Sequence, residues 1–123
     1  PDVIAVQFAN VVGHATAAGV VAALRDNPNL RVDGGEPAEV GRYRGFRAEV
    51  QTTDPVASDP PVFREVVSVP AGPIGIASAR RLQLTLLDTP RGVLGILVGG
   101  SIARWDRTLE VARPVVESVR IGD

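Results

Sequence analysis

The chain has 123 residues, and its 13 basic residues, every one an arginine, nearly balance 14 acidic ones to give a formal net charge of −1. A balanced charge without a basic run gives no footprint for nucleic acid or an anionic membrane surface, and the absence of cysteine excludes disulfides, thiolate metal sites and thiol chemistry. At this length one domain over 1–123 is expected, burying about two thirds of the unfolded surface without a metal or disulfide staple, around a core of Val, Leu, Ile and Ala because aromatics are only 4%.

Val3 to Phe8 reads as a first strand. Thr16 is placed to cap a helix over 16–26, in which Ala17, Val20, Val21 and Leu24 follow the i, i+3, i+4, i+7 spacing of a buried stripe. Gly19 weakens that helix, and Asn27-Pro28 ends it because the residue before proline is pushed out of the α region. Leu30 to Val32 reads as a short strand before a turn at Asp33-Gly34-Gly35, and Gly41 to Gly45 as a second turn. Phe46, Ala48 and Val50 then alternate with Arg47, Glu49 and Gln51, one face apolar and one charged. Thr52 to Pro61, with three prolines, is loop.

Val62 to Val69 reads as a strand whose alternation is imperfect, since Glu65 falls on the apolar face and Val66 on the polar one. Pro70 stops it, and Ala71 to Ser78 reads as a Gly/Pro loop carrying two exposed isoleucines, Ile74 and Ile76. Arg80 to Gly100 is the hairpin around which the rest is organised. Leu82, Leu84 and Leu86 alternate with polar residues, Asp88 to Gly92 supplies turn chemistry, and Val93 to Val98 is an almost continuous apolar run suited to a central strand. Ser101 is placed to cap a helix over 101–113 with a stripe of Trp105, Leu109, Ala112, Val116 and Val119, which Pro114 should kink or end. The pattern predicts an α+β fold: a single, mostly antiparallel sheet of about six or seven strands flanked by two main helices. Leu82, Leu84, Ile96, Val98, Trp105 and Leu109 are expected to be buried together.

Little in the chain carries chemistry. His14 is the single histidine, so a two-histidine metal or acid–base site cannot form, and no G-x-S-x-G marks a nucleophile. Asp54 and Asp59 bracket Ser58 in the proline loop, without the six to eight oxygens in register that a calcium site needs. Without lysine there is no P-loop, so Gly99-Gly100-Ser101 reads as a strand-to-helix turn near Arg104 and Arg107. Arg42, Arg44 and Arg47 read as a solvated basic edge around Tyr43. No catalytic residue, metal ligand or cofactor motif is assigned. A ligand, if bound, is expected along Ile74, Ile76, Gly100, Ser101 and Arg104, where loops on a rigid sheet combine apolar and polar groups. The competing reading of the two isoleucines is a plug in the end of the sheet.

Over Val20 to Val50, Ala23-Leu24-Arg25, Pro28, Leu30, Val40-Gly41, Gly45 and Val50 fit a helix ending in W/A-L-R-x-x-P-x-L that runs into a strand and a glycine-punctuated segment. The close from Pro114 to Ile121 fits a p-v-l-x-S-l-x-f pattern. Together these resemble extracytoplasmic actinobacterial domains, and the element order is similar to the PsbP-like α/β/α sandwich. The resemblance brings no activity or catalytic residues; it implies a secreted protein, a lipoprotein or the outer domain of a membrane protein. Opening at Pro1 without Met, the chain reads as an ectodomain trimmed from a longer protein, with any membrane anchor outside it. The expected function is a non-catalytic extracytoplasmic binding or sensory module for an unidentified small molecule or protein partner. The alternatives are a structural, homo-oligomerising domain of a cell-envelope protein and a small enzyme using His14.

Overall fold

Seven strands and two α-helices make up the residues described by the computed structural model, which are 5–55, 57, 59–60 and 62–118. In chain order they are β1 (Ala5–Val11), α1 (Ala17–Asp26), β2 (Leu30–Val40), β3 (Tyr43–Thr52), β4 (Phe63–Val69), β5 (Gly72–Ala77), β6 (Arg80–Thr89), β7 (Gly92–Ser101) and α2 (Trp105–Glu117). A single 3-10 turn, Ile102–Arg104, precedes α2. The fold is α+β, as the periodicities predict. The strands do not form one sheet, however. Five make an antiparallel sheet in the order β1-β7-β6-β3-β2, and β4 pairs with β5 in a separate hairpin. The loop after β3 carries the chain off the main sheet, and the hairpin packs on one of its faces.

That face holds the larger core. Ala17, Val20, Val21 and Leu24 of α1 meet Leu82, Leu84, Leu86, Val93 and Leu97 of β6 and β7, with Val67 and Ile76 from the hairpin beside them. The opposite face is covered by α2, whose Ala112 and Val116 pack with Leu87, Ile96, Val98, Val40 and Tyr43. The six residues expected to be buried together are therefore divided. Leu82 and Leu84 belong to one core and Ile96 and Val98 to the other, because successive facing pairs along β6 and β7 point to alternate sides of the sheet. Trp105 and Leu109 are only half-buried, and Thr108, Ala112 and Val116 form the buried edge of α2. Val119 and the tail beyond it lie outside the described residues.

Several boundaries move for local reasons. Thr16 caps α1 as expected, its Oγ1 accepting from the Gly19 N–H at 3.0 Å. The expected turn at Asp33-Gly34-Gly35 is a β-bulge inside a long β2. Gly34 and Gly35 take φ of 85° and 96°, and the pairing with β3 slips between Gly34 and Glu36. Arg25 of α1 donates to the Gly34 carbonyl at 2.6 Å, fastening helix to bulge. A second slip, between Glu65 and Val67, accounts for the broken alternation of β4. The segment Ala71 to Ser78 contains strand β5, whose Ile76 is buried and Ile74 half-buried. Ser101 is the last residue of β7 and makes no side-chain cap bond. Pro114 does not stop α2, which runs on to Glu117; the lost donor falls on an exposed flank, where water can serve the Glu110 carbonyl. Arg44 and Arg47 are not on an edge, since β3 lies between β2 and β6, and Arg42 lies in the turn between β2 and β3.

Candidate functional site

An apolar cavity of about 290 Å³ opens where the β4–β5 hairpin meets the end of the five-stranded sheet. Leu82, Leu97 and Ile76 are buried residues of its lining, and Ile74, Gly75 and Phe63 come from the hairpin. Ala5, Gly99 and Ala77 keep side-chain bulk out of the space, and Gln7 and Arg80 add polar groups to its wall. Phe63 is 68% exposed, an unusual degree for a ring that touches an apolar cavity. The register explains why these residues converge. Ala5 faces Gly99, and Gly99 faces Leu82, so three adjacent strands place a small, a small and a large residue side by side on the hairpin side of the sheet.

Of the five residues expected to form a site, Ile74 and Ile76 line this cavity and the other three do not. Gly100 points to the opposite face, where a Cβ would run into the Thr108 side chain; its role is to let α2 approach β7. Ser101 sits opposite Arg80 at the strand end, with its hydroxyl buried and without a partner among the described residues. Arg104 is exposed in the 3-10 turn. Gly99, in the turn expected to border a ligand, does line the cavity, whereas Phe63, Leu82 and Leu97 carry no local signal as site residues because each fits an ordinary strand position. Only the pairing across strands brings them together.

The α2 side of the sheet carries a polar network. Arg81 donates to Glu49 at 2.9 Å, to Gln51 at 2.8 Å and to Asp33 at 3.0 Å. Trp105 Nε1 donates to the same Glu49 oxygen at 3.0 Å, and the Arg81 guanidinium lies 5.8 Å from the Trp105 ring centroid. The acceptors come from β2 and β3 and the donors from β6 and α2. This arrangement pins the start of α2 to the sheet, and its charges are mutually satisfied. Next to it, Arg47 Nε donates at 2.9 Å to Thr85, a fully buried threonine of β6.

Residues with chemical potential elsewhere are dispersed. His14 is exposed between β1 and α1. Asp54 forms a two-bond ion pair with Arg64 at 2.9 and 3.1 Å. Those hydrogen bonds, opposed by some desolvation and aided by the charge of Arg64, hold the Asp54 carboxyl below its ordinary range. A depressed carboxylate pKa favours the fold above the unfolded value, and that contribution disappears as pH falls through the folded one. Among the described residues no group of three or more His, Asp or Glu is disposed to hold a metal ion, and no helix is long and apolar enough to cross a membrane. Comparison of the chain with protein-family models, with curated proteins and with solved structures gives no significant match.

Proposed function

We propose that this domain is a non-catalytic binding module that takes a small apolar or amphiphilic molecule into the cavity between the β4–β5 hairpin and the main sheet. The observation that carries the reading is the cavity itself, apolar in its lining, bordered by exposed Phe63 and left open by Ala5 and Gly99. A cavity of about 150 Å³ lined by aliphatic side chains is enough to bind benzene; this one is larger and has an exit to solvent. An extracytoplasmic location and a PsbP-like ancestry are part of the proposal. They are supported by the motif resemblance over Val20 to Val50 and by the placement of α1 and α2 on opposite faces of one sheet.

The test is methyl NMR with hexanol as probe. Saturable shifts confined to Ile74, Ile76, Leu82 and Leu97 are expected. Ile74→Trp, which fills the space from a half-buried position, should abolish them while the melting temperature holds. Unmoved methyls, or a filled variant that binds as well as the parent, would sink the reading.

The assembly alternative rests on one observation: β1 is a sheet edge, and its Phe8 is 48% exposed. Under it, light scattering would report a dimer that Phe8→Glu dissolves.

A further inference from the structure

On the α2 side of the sheet, Arg47 stands apart from its neighbours. Arg81, on the same face, has three acceptors, and elsewhere in the fold Arg44 pairs with Glu39 at 3.4 Å and Arg64 of the hairpin with Asp54. Arg47 is half-buried, and among the described residues its one side-chain partner is the neutral hydroxyl of Thr85. Glu36 is its cross-strand neighbour in the register, yet among the described residues no carboxylate comes within ion-pair distance of it. The Nε–H is committed to Thr85, which leaves both Nη groups, four N–H donors, without an acceptor among the described residues. A half-buried guanidinium whose stem is fixed and whose fork is unused is a preorganised anion seat.

The surroundings define the anion. Arg47 borders a cleft of about 170 Å³ between the sheet and α2, whose helical wall is Leu109, Ala112 and Val116. Arg113 and Glu117 stand on the same wall, and Gln83 lies on the sheet side. Two guanidinium charges against one carboxylate favour an anion, but only a singly charged one. Glu117 in the cleft, with Glu36 in the depression on the other side of Arg47, would repel a dianion such as phosphate. The apolar helical wall calls for an aliphatic body. We infer that this cleft binds a small aliphatic monocarboxylate, the carboxylate held end-on by the two Nη groups of Arg47 and the chain lying on Leu109, Ala112 and Val116. The site is separate from the apolar cavity, which lies on the hairpin side of the sheet, and it stands or falls independently of that reading.

The lone tryptophan reports on it, since Trp105 lies one turn of α2 from Leu109. The experiment titrates the protein with 4-methylpentanoate, its neutral isostere 4-methylpentanamide, and inorganic phosphate, followed by Trp105 fluorescence and ¹H–¹⁵N NMR. The carboxylate should give saturable shifts at Arg47 Nε–H, the Gln83 side-chain amide and the Leu109 backbone. The amide should bind about tenfold or more weakly, as expected when a charge-assisted hydrogen-bonded pair is lost, and phosphate more weakly than the carboxylate. Arg47→Gln should lose about the same factor. Because that change also leaves Thr85 without its partner, Arg113→Gln is the second variant: it lies on the exposed flank of α2 and should weaken binding several-fold at an unchanged melting temperature. Equal binding of acid and amide overturns the inference, as do unsaturable shifts, shifts at Ile74 and Leu82 instead, or full affinity in both arginine variants.

Discussion

Ile74 and Ile76 lie two residues apart on β5 and line the same cavity, yet their burial divides them: Ile76 is 6% exposed and belongs to the core beside Leu82 and Leu97, whereas Ile74 is half-buried and packs against that core from its margin. An uncompensated carboxylate costs several kcal/mol where it cannot reach water and little where it can. Ile76→Asp is therefore expected to lower the unfolding free energy by about 3 kcal/mol or more, and Ile74→Asp by about 1 kcal/mol or less, measured by urea denaturation. Equal losses would mean that the two positions share one environment. Ile76 thus plugs the interlayer space, and Ile74 forms its margin. The same contrast holds among arginines on the other face. Arg81 is consumed by Glu49, Gln51 and Asp33, whereas Arg47, on the adjacent strand β3 and facing Thr85, has no acceptor for its fork among the described residues, so residue type alone does not separate a fastener from a binding group.

Among the elements, α2 shows a conflict between local propensity and packing. Its apolar edge of Thr108, Ala112 and Val116 continues past Pro114, and burial of Val116 against the sheet holds the last turn helical. Ser118 closes that turn, its N–H donating to the Pro114 and Val115 carbonyls at 3.1 and 3.2 Å. A proline in a helix interior costs up to about 3 kcal/mol relative to alanine. Pro114→Ala should accordingly raise stability by about 1–3 kcal/mol, seen as a higher melting temperature with unchanged circular dichroism shape. A drop would mean that the proline is needed where it stands. In β2 the conflict is resolved the other way: two left-handed glycines absorb an extra residue, and the strand continues through a segment that looks like a turn.

For the whole molecule, the sheet acts as a partition. Leu24 of α1 and Ile96 of β7 are both buried, but they belong to cores on opposite faces, so truncating one leaves the other's neighbours in place. Each change to alanine should cost about 2–5 kcal/mol. The double variant should be additive within about 0.5 kcal/mol, as for sites that share no partners. Coupling of more than about 1 kcal/mol by chemical denaturation would show that the two cores respond as one. The partition also separates the two candidate binding places, one between hairpin and sheet and one between α2 and sheet.

Local periodicity in the sequence was sufficient to determine α1 with its Thr16 cap, the β6–β7 hairpin and the amphipathic β3, because helix and strand spacings are properties of a few consecutive residues. It also put Ile74 and Ile76 forward as site residues, since two apolar side chains between glycines and prolines stand out in any local window. What it could not reach was anything written in the register between distant strands. The placement of Gly100 under Thr108, the meeting of Gly99 with Leu82 and Ala5, and the gathering of Asp33, Glu49, Gln51, Arg81 and Trp105 all join residues far apart in the chain. The departure of β4 and β5 from the main sheet was equally invisible, since a strand's own pattern says which face is buried and not which partner it pairs with. Both candidate sites arise from those pairings. Tertiary structure decided them because a cavity or an unused guanidinium is defined by what the neighbouring elements leave uncovered.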